Sequence, residues 1–196
     1  MERTLLKILI ASAIFVSCGG ANKTISSSSV RSIPSSFFNC YLGSKNATVS
    51  RVMDNKGFMF DYREWNGVDS YKTLPLGERR IKTKQTYYYV PYGGYTWKEV
   101  SFFFDYRDRF FCLAFFDLFS ESEKGKERYD AVKSTLDEKY GVGRDIQYGV
   151  MYGNPEGKCI SLVVLPLQDA GYTVCGLYYL DEKIYQTDTA SAIDEL

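Results

Sequence analysis

Histidine is absent from this sequence of 196 residues. Its absence excludes catalysis by Ser-His-Asp or Cys-His groups, proton transfer through imidazole, and any zinc site with imidazole ligands. An excess of either charge is missing as well, because 24 basic side chains balance 24 acidic ones. A neutral chain offers no electrostatic footprint for a nucleic acid or an anionic lipid. We therefore expect no nucleic-acid partner, no metal site and no cofactor.

The first apolar run is too short to cross a bilayer as a helix. It extends from Ile8 to Val16, whereas a spanning helix needs ~20 residues. The run follows Arg3 and Lys7, and a basic leader before a short apolar core is typical of a secretory signal. We therefore predict that residues 1–17 are a signal peptide. A buried N-terminal helix is the alternative, and it would need burial on every side because the run has no polar face.

The residues that end this run are Phe15-Val16-Ser17-Cys18, and Gly19 follows them. The segment resembles the bacterial lipobox, and the resemblance implies that Cys18 carries lipid as the first residue of the mature chain. Cleavage near Ala13 is the alternative and would leave a thiol at position 18. Residues 18–36 are dominated by serine, which is typical of a flexible tether. By the same resemblance, Gly19 in place of an aspartate implies the periplasmic face of the outer membrane.

The remainder of the chain is long enough for one domain with one core. We place that domain at residues 37–185 and a polar tail at residues 186–196. The 17 tyrosines and 13 phenylalanines favour strands over helices. Strands are predicted to alternate with turns between two helices, and three more strands follow the second helix.

Two segments have helical signals. The first opens at Leu42-Gly43-Ser44, where Ser44 or Asn46 could cap the helix and Gly57 ends it. The second extends from Ser122 to Tyr140 and carries one apolar stripe, made of Tyr129, Val132, Leu136 and Tyr140. We predict an α+β fold in which both helices pack on one face of an antiparallel sheet. The helix-then-strands order, met twice, also resembles an internal duplication.

Four cysteines lie beyond Cys18, and their spacing does not fit a metal or redox motif. Cys159 and Cys175 lie in two strands that flank a turn, so a symmetric hairpin would place them opposite each other. A bridge between them would leave Cys40 to pair with Cys112. Two disulfides are therefore one expectation for an oxidising compartment, and four buried thiols that serve as small apolar residues are the other.

Aromatic side chains gather around one predicted turn, Pro91–Gly94. Tyrosine and tryptophan rings combine an apolar face with a polar group, which suits a protein partner or a sugar. We expect Tyr92, Tyr95 and Trp97 to be the contact residues, although the same residues also favour an ordinary hairpin. An acidic set nearby, made of Asp105, Asp108, Asp117, Glu121 and Glu123, is expected to form turns and a helix start, not a hydrolytic pair.

The domain as a whole resembles known exported modules. The opening Leu42-Gly43-Ser44 and the glycine and phenylalanine at 57–58 resemble the first helix of small BamE-like and beta-lactamase-inhibitor-protein-like periplasmic domains. The pattern from Val100 to Gly141 resembles small exported lipoproteins of Bacteroidetes. The resemblance implies a non-enzymatic binding or assembly module of the cell envelope. An inhibitor of a periplasmic or host hydrolase and a carbohydrate-binding accessory protein are the alternatives.

The polar tail contains one further motif. Asp188-Thr189-Ala190 resembles the O-glycosylation motif of exported Bacteroidetes proteins, and the resemblance implies a glycan on Thr189. We therefore expect a chain that the membrane holds through its lipid anchor, and that binds an envelope protein or a glycan.

Overall fold

The computed structural model describes residues 32–64, 76, 81–153, 157–167 and 171–184. The elements in chain order are β1 (Ser36–Phe37), β2 (Cys40–Tyr41), α1 (Asn46–Asp54), β3 (Met59–Glu64), β4 (Thr83–Tyr92), β5 (Tyr95–Phe104), β6 (Phe110–Phe119), α2 (Ser122–Tyr140), β7 (Arg144–Ile146), β8 (Gly149–Gly153), β9 (Lys158–Leu167) and β10 (Tyr172–Asp181).

Eight of the strands form one antiparallel sheet in the order β3-β4-β5-β6-β10-β9-β8-β7, and β1 and β2 form a separate small hairpin. Each half of the sheet is a four-stranded meander that follows one helix. The two halves meet where β6 pairs with β10. The predicted α+β class is confirmed, and the internal duplication stays a prediction.

Both helices pack on the same face of the sheet, as predicted. Their buried residues belong to one apolar cluster that includes Phe102, Phe115 and Tyr179 of the sheet. This helix-covered core receives Val49 and Met53 from α1, and Val132, Leu136 and Tyr140 from α2. Burial of each such side chain stabilises the fold by roughly 1.5–3 kcal/mol.

The opposite face of the sheet is buried as well. It forms a second apolar cluster that contains Phe103, Phe116 and Tyr178, and the described residues Leu76 and Ile81 belong to it. Because β6 contributes to both clusters, its side chains are buried on both sides along most of its length. The unbroken apolar run from Phe110 to Phe116 reflects this central position.

The second helix spans Ser122–Tyr140, as predicted from the sequence. Gly125 lies inside it, although glycine in a helix costs about 1 kcal/mol relative to alanine. A β-carbon at Gly125 would lie 2.5 Å from Cγ2 of Thr173. The close contact between α2 and β10 therefore requires glycine at this position.

The first helix starts differently from the prediction. Its N-cap is Lys45, which makes no side-chain cap, so neither Ser44 nor Asn46 has the predicted role. The Asn46 side chain instead donates to the Thr83 hydroxyl at 3.2 Å and accepts from Gln85 at 2.6 Å. These two hydrogen bonds attach the start of α1 to strand β4. Because the Asn46 side chain is bonded to β4, it is not available to cap its own helix.

The predicted disulfide pairings are wrong for this register. Cys175 lies opposite Val164, and Cys159 lies opposite Leu180. The pairing is shifted by an odd number of residues from the symmetric hairpin, and such a shift moves side chains to the other face. Cys40 and Cys175 consequently lie in the helix-covered core, whereas Cys112 and Cys159 lie in the core of the opposite face. All four are buried thiols, which is the other expectation from the sequence.

The sheet has two distinguishable ends. We call one of them the entry end, because the described chain begins there with residues 32–35. Ile33 packs closely on Gly153, and a β-carbon on Gly153 would overlap Cδ1 of Ile33. The turn at 105–109 and the short segment at 182–184 lie at this same end, since Arg109 donates to the Ile184 carbonyl at 2.7 Å. The β4–β5 turn, the end of β6 and the start of α2 form the far end.

We predict that the four core thiols resist alkylation in the folded chain. Burial raises the pKa of Cys40 to about 11 and that of Cys175 to about 12, so little of the reactive thiolate exists near neutral pH. Mass spectrometry after iodoacetamide treatment should find these four residues unlabelled in the native protein. After denaturation without any reductant, all four should be labelled. Any pair that becomes labelled only after reduction would contradict the register.

Candidate binding surface

The aromatic hairpin closes through two glycines. Gly93 and Gly94 have φ angles of 63° and 81°, the positive values that a two-residue type I′ turn requires at both positions. Tyr92 and Tyr95 form the last pair of the ladder beside the turn. The tip of the hairpin therefore presents backbone and no side chains.

Tyr89 interrupts the alternation of strand β4. Its φ angle is 56°, which is uncommon for a bulky residue. Tyr87, before it, faces the helix-covered core, and Val90, after it, faces the same core. The side chain of Tyr89 is thereby turned outward and is 66% exposed. Strict alternation, which predicts Tyr87 and Tyr89 on one face, is wrong here.

Tyr92 faces inward, in contrast to the sequence prediction. Its ring stacks on Phe115 with centroids 4.5 Å apart and also contacts Phe37 and Phe38. The Tyr179 hydroxyl donates a hydrogen bond to the Tyr92 hydroxyl, and burial raises the pKa of Tyr92. Tyr92 is thus a half-buried side chain packed against the core, and not an exposed contact residue.

Trp97 is the most deeply buried member of the predicted contact set. Only 1% of its surface is exposed, and its indole N–H donates to the Tyr92 carbonyl at 3.2 Å. The prediction that it contacts a partner is wrong because the change of face at Tyr89 is matched on the neighbouring strand, where Trp97 lies opposite Val90. Tyr95 is half-buried beside it, with the two rings 6.1 Å apart.

Arg128 of α2 covers this pair of rings. Its guanidinium carbon lies 4.4 Å from the centre of the Tyr95 ring and 5.4 Å from that of Trp97. Its Nη2 atom lies 3.0 Å from Oδ2 of Asp117, and the other oxygen of Asp117 accepts the Lys98 backbone N–H at 2.9 Å. The cation–π and ionic contacts therefore join the hairpin to the helix and to β6. The stripe of α2 gave no sign of this role for Arg128.

Asp105 and Asp117, the two buried members of the acidic set, lie far apart. Asp105 is buried at the entry end and accepts the backbone N–H groups of Arg107 and Arg109 as well as Nε of Arg109. Asp117 lies near the far end of β6, and the eight residues from Phe110 to Asp117 alone span about 23 Å. Carboxylates that share a glycosidic bond lie less than about 10 Å apart. Asp105 and Asp108 lie in a turn, and Glu121 and Glu123 lie at the start of α2, as expected, whereas Asp117 is a buried residue of strand β6.

Three tyrosines are exposed toward the far end. The register places Tyr88, Glu99, Phe116, Gly176, Val163 and Gly149 in one row across the sheet. Tyr89 follows Tyr88 on β4, and Tyr148 precedes Gly149 of β8, so the two tyrosines lie next to this row on strands near opposite edges of the sheet. Tyr172 is the first residue of β10 and lies nearer to the far end than the row does. Tyr148 also has a positive φ, of 67°. Alternation and turn composition carry no signal for the positive φ angles of Tyr89 and Tyr148, so the sequence does not predict that these two side chains are exposed.

Two of the predicted modification sites are not in the described part of the chain. Cys18 and Thr189 lie outside the described residues. Among the residues that are described, no group of three cysteine, aspartate or glutamate side chains could hold a metal ion. In the same part of the chain, no helix is long and apolar enough to span a membrane.

Comparison with known proteins gives no relative. The chain matches no protein-family model, no curated protein and no solved structure.

A second carboxylate offers a contrast to Asp117. Asp137 of α2 accepts from the Tyr152 hydroxyl at 2.8 Å and from Lys133 at 2.6 Å. Burial acts to raise its pKa, but the hydrogen bonds from Lys133 and Tyr152 outweigh it and the pKa is lowered. For Asp117, burial raises the pKa and outweighs the Lys98 N–H and the Arg128 charge. The two groups therefore shift in opposite directions.

We predict opposite pH dependences from these two groups. The folded chain holds the Asp117 proton to a higher pH than the unfolded chain, so its contribution to stability is lost as the pH rises through the folded pKa. The Asp137 contribution is present above the unfolded pKa of about 3.9 and is lost as the pH falls through the folded pKa. As the pH rises above about 4, the unfolding free energy of wild type should fall relative to that of Asp117→Asn.

The matched variant is Asp137→Asn, against which wild type should lose stability as the pH falls below about 4. Urea unfolding, followed by tyrosine and tryptophan fluorescence at each pH, measures both differences. Two differences that change in the same direction with pH would contradict the opposite shifts.

Proposed function

We propose that this protein is a lipid-anchored, non-enzymatic binding module of the bacterial cell envelope. The lipobox-like segment ending at Cys18 supports the anchor, and the serine-rich residues that follow support a tether. The absence of histidine supports a binding role, because the common nucleophilic and acid–base mechanisms depend on that residue. The proposed address is the periplasmic face of the outer membrane.

The observation that carries the binding role is the outward position of Tyr89. A bulky residue with φ in the left-handed region costs on the order of 1–3 kcal/mol and persists where the surroundings enforce it. Here the paired strands on both sides enforce it, and the result is a large amphipathic ring directed away from the core. Tyrosine supplies contact area at a low cost in conformational entropy, so Tyr89 is suited to anchor a partner.

The geometry favours this contact over insertion of the hairpin tip into an enzyme cleft. An inhibitor that acts as a plug needs protruding side chains at its tip. In this hairpin, Gly93 and Gly94 form the tip, whereas Tyr92 and Tyr95 are half-buried behind it. A carbohydrate-binding accessory protein remains the alternative, because an exposed tyrosine ring can also contact a sugar.

We predict that a photo-crosslinking phenylalanine analogue at position 89 forms a discrete adduct in living cells. The same analogue at position 106 is the matched control, since Tyr106 is similarly exposed, at 60%, but lies at the entry end. Gel shifts and mass spectrometry would show a protein adduct from position 89 that is absent from position 106. A tyrosine-to-serine change at residue 89 should abolish co-purification of that protein. Absence of any adduct from positions 89, 148 and 172 would contradict a far-end contact with a protein.

We also predict that Cys18→Ser releases the protein from the membrane. Loss of the cysteine removes the site of acylation, and the soluble fraction should then contain the variant. Fractionation and palmitate labelling measure the two effects separately, with Cys40→Ser as the control that keeps the anchor. Membrane retention of the Cys18→Ser variant, together with no labelling of wild type, would contradict the anchor.

A further inference from the structure

We propose that the entry end of the sheet is a docking face for an anionic lipid surface. The inference rests on the proposed lipid anchor, because it concerns how the domain lies once it is tethered. It goes further in assigning a second, direct contact between the folded domain and the membrane, made by residues that are distant from Cys18 in the chain.

The first observation is the composition of this end. Tyr106 of the 105–109 turn is 60% exposed, and Tyr41, which precedes the Leu42 N–H bonded to the Ser35 carbonyl, is 65% exposed. Four basic residues at the same end are exposed, namely Lys45, Lys82, Arg107 and Lys183. Tyrosine rings and basic side chains are the combination that binds the headgroup region of an anionic bilayer.

The second observation is what happens to the acidic residues here. Asp105, Asp181 and Glu182 are all buried. Asp105 is occupied by Arg109 and by backbone N–H groups of its own turn, and Asp181 accepts the Lys183 N–H at 3.0 Å. Among the described side chains at this end, the acidic groups Asp105, Asp181, Glu182 and Asp108 are therefore buried or half-buried. Lys45, Lys82, Arg107 and Lys183 are exposed, whereas Arg109 is half-buried against Asp105 and Lys84 is buried.

The third observation is that these residues are held together as one surface. Nζ of Lys45 donates to the Arg107 carbonyl at 2.6 Å, and Lys45 forms a β-bridge with Arg109. The Gly43 N–H donates to the Phe110 carbonyl at 2.7 Å, and the Lys82 N–H donates to that of Phe104 at 2.9 Å. Together with the Arg109 bond to the Ile184 carbonyl, these contacts hold segments from four parts of the chain in a common framework.

The far end has a different charge pattern. Exposed Glu121, Glu123 and Glu127 lie on the first turns of α2, where Lys124 donates to Glu121 at 2.7 Å. Basic and acidic groups therefore alternate there, whereas they are separated by depth at the entry end. The neutral total charge of the chain conceals this difference between the two ends, so it does not exclude a local contact with anionic lipid.

The tether makes this face the one closest to the membrane. Residue 32 begins the described chain at the entry end, and Cys18 lies a short distance before it in the sequence. Only 14 residues of sequence separate Cys18 from residue 32, and a chain of that length reaches at most about 50 Å. The domain is thus confined next to the bilayer at a high effective concentration, and each basic side chain near an anionic surface strengthens binding about fivefold.

The test uses the purified full-length lipoprotein in detergent and in vesicles of phosphatidylcholine with or without 30% phosphatidylglycerol. Hydroxyl-radical footprinting with mass spectrometry measures the reactivity of each exposed tyrosine. In anionic vesicles, Tyr41 and Tyr106 should become at least threefold less reactive than in detergent. Tyr89 and Tyr172 should keep their reactivity and serve as internal controls. The protection should disappear in neutral vesicles and in high salt.

A charge-reversed pair, Lys45→Glu with Lys82→Glu, should abolish the protection and leave the protein lipidated. The control pair, Lys124→Glu with Lys126→Glu, makes the same change of charge at the far end and should keep the protection. Unchanged reactivity of Tyr41 and Tyr106 in a protein whose mass confirms the lipid overturns the docking face alone. A mass without lipid on Cys18 overturns the anchor, and the docking inference with it.

Discussion

The structure depends on the pairing of β6 with β10. The ladder extends from Phe119 opposite Thr173 to Cys112 opposite Leu180, and both strands are apolar on both faces. Because this pair joins the two meanders, it gives each face of the sheet a continuous core that neither half could bury alone. The two helices lie on one face as a consequence, and α2 approaches β10 closely enough to exclude a β-carbon at Gly125.

The sequence predicts the parts of this arrangement that local periodicity determines. The stripe of Val132, Leu136 and Tyr140 identifies the buried side of α2, because helical spacing depends only on near neighbours. The run from Phe110 to Phe116 likewise identifies a central strand. Strand register is different, since it depends on the partner strand. An odd shift between β9 and β10 was enough to move Cys159 and Cys175 to opposite faces.

The prediction that Tyr92 and Trp97 are exposed contact residues was wrong for a related reason. A single backbone angle at Tyr89 exchanges the faces of all residues between it and the turn, and no property of the Tyr87-Tyr88-Tyr89 sequence signals which tyrosine adopts it. The exchange brings Tyr92 and Trp97 into the core, where Arg128 and Asp117 lock the hairpin to α2. The candidate contact surface therefore moved by a few residues, from the tip of the hairpin to its outer side.

Electrostatics requires the same attention to position. The 24 basic and 24 acidic side chains cancel in the total, but a surface responds to charges within about 10 Å, the screening distance at moderate salt. At the entry end, burial of Asp105, Asp181 and Glu182 removes acidic groups from the surface, while Lys45 and Lys82 stay exposed. A domain held there by a lipid anchor would turn its basic end toward the membrane and its exposed Tyr89 away from it. The same sheet would then separate the two contacts by its full strand length, which lets a tethered module hold a membrane and a partner at once.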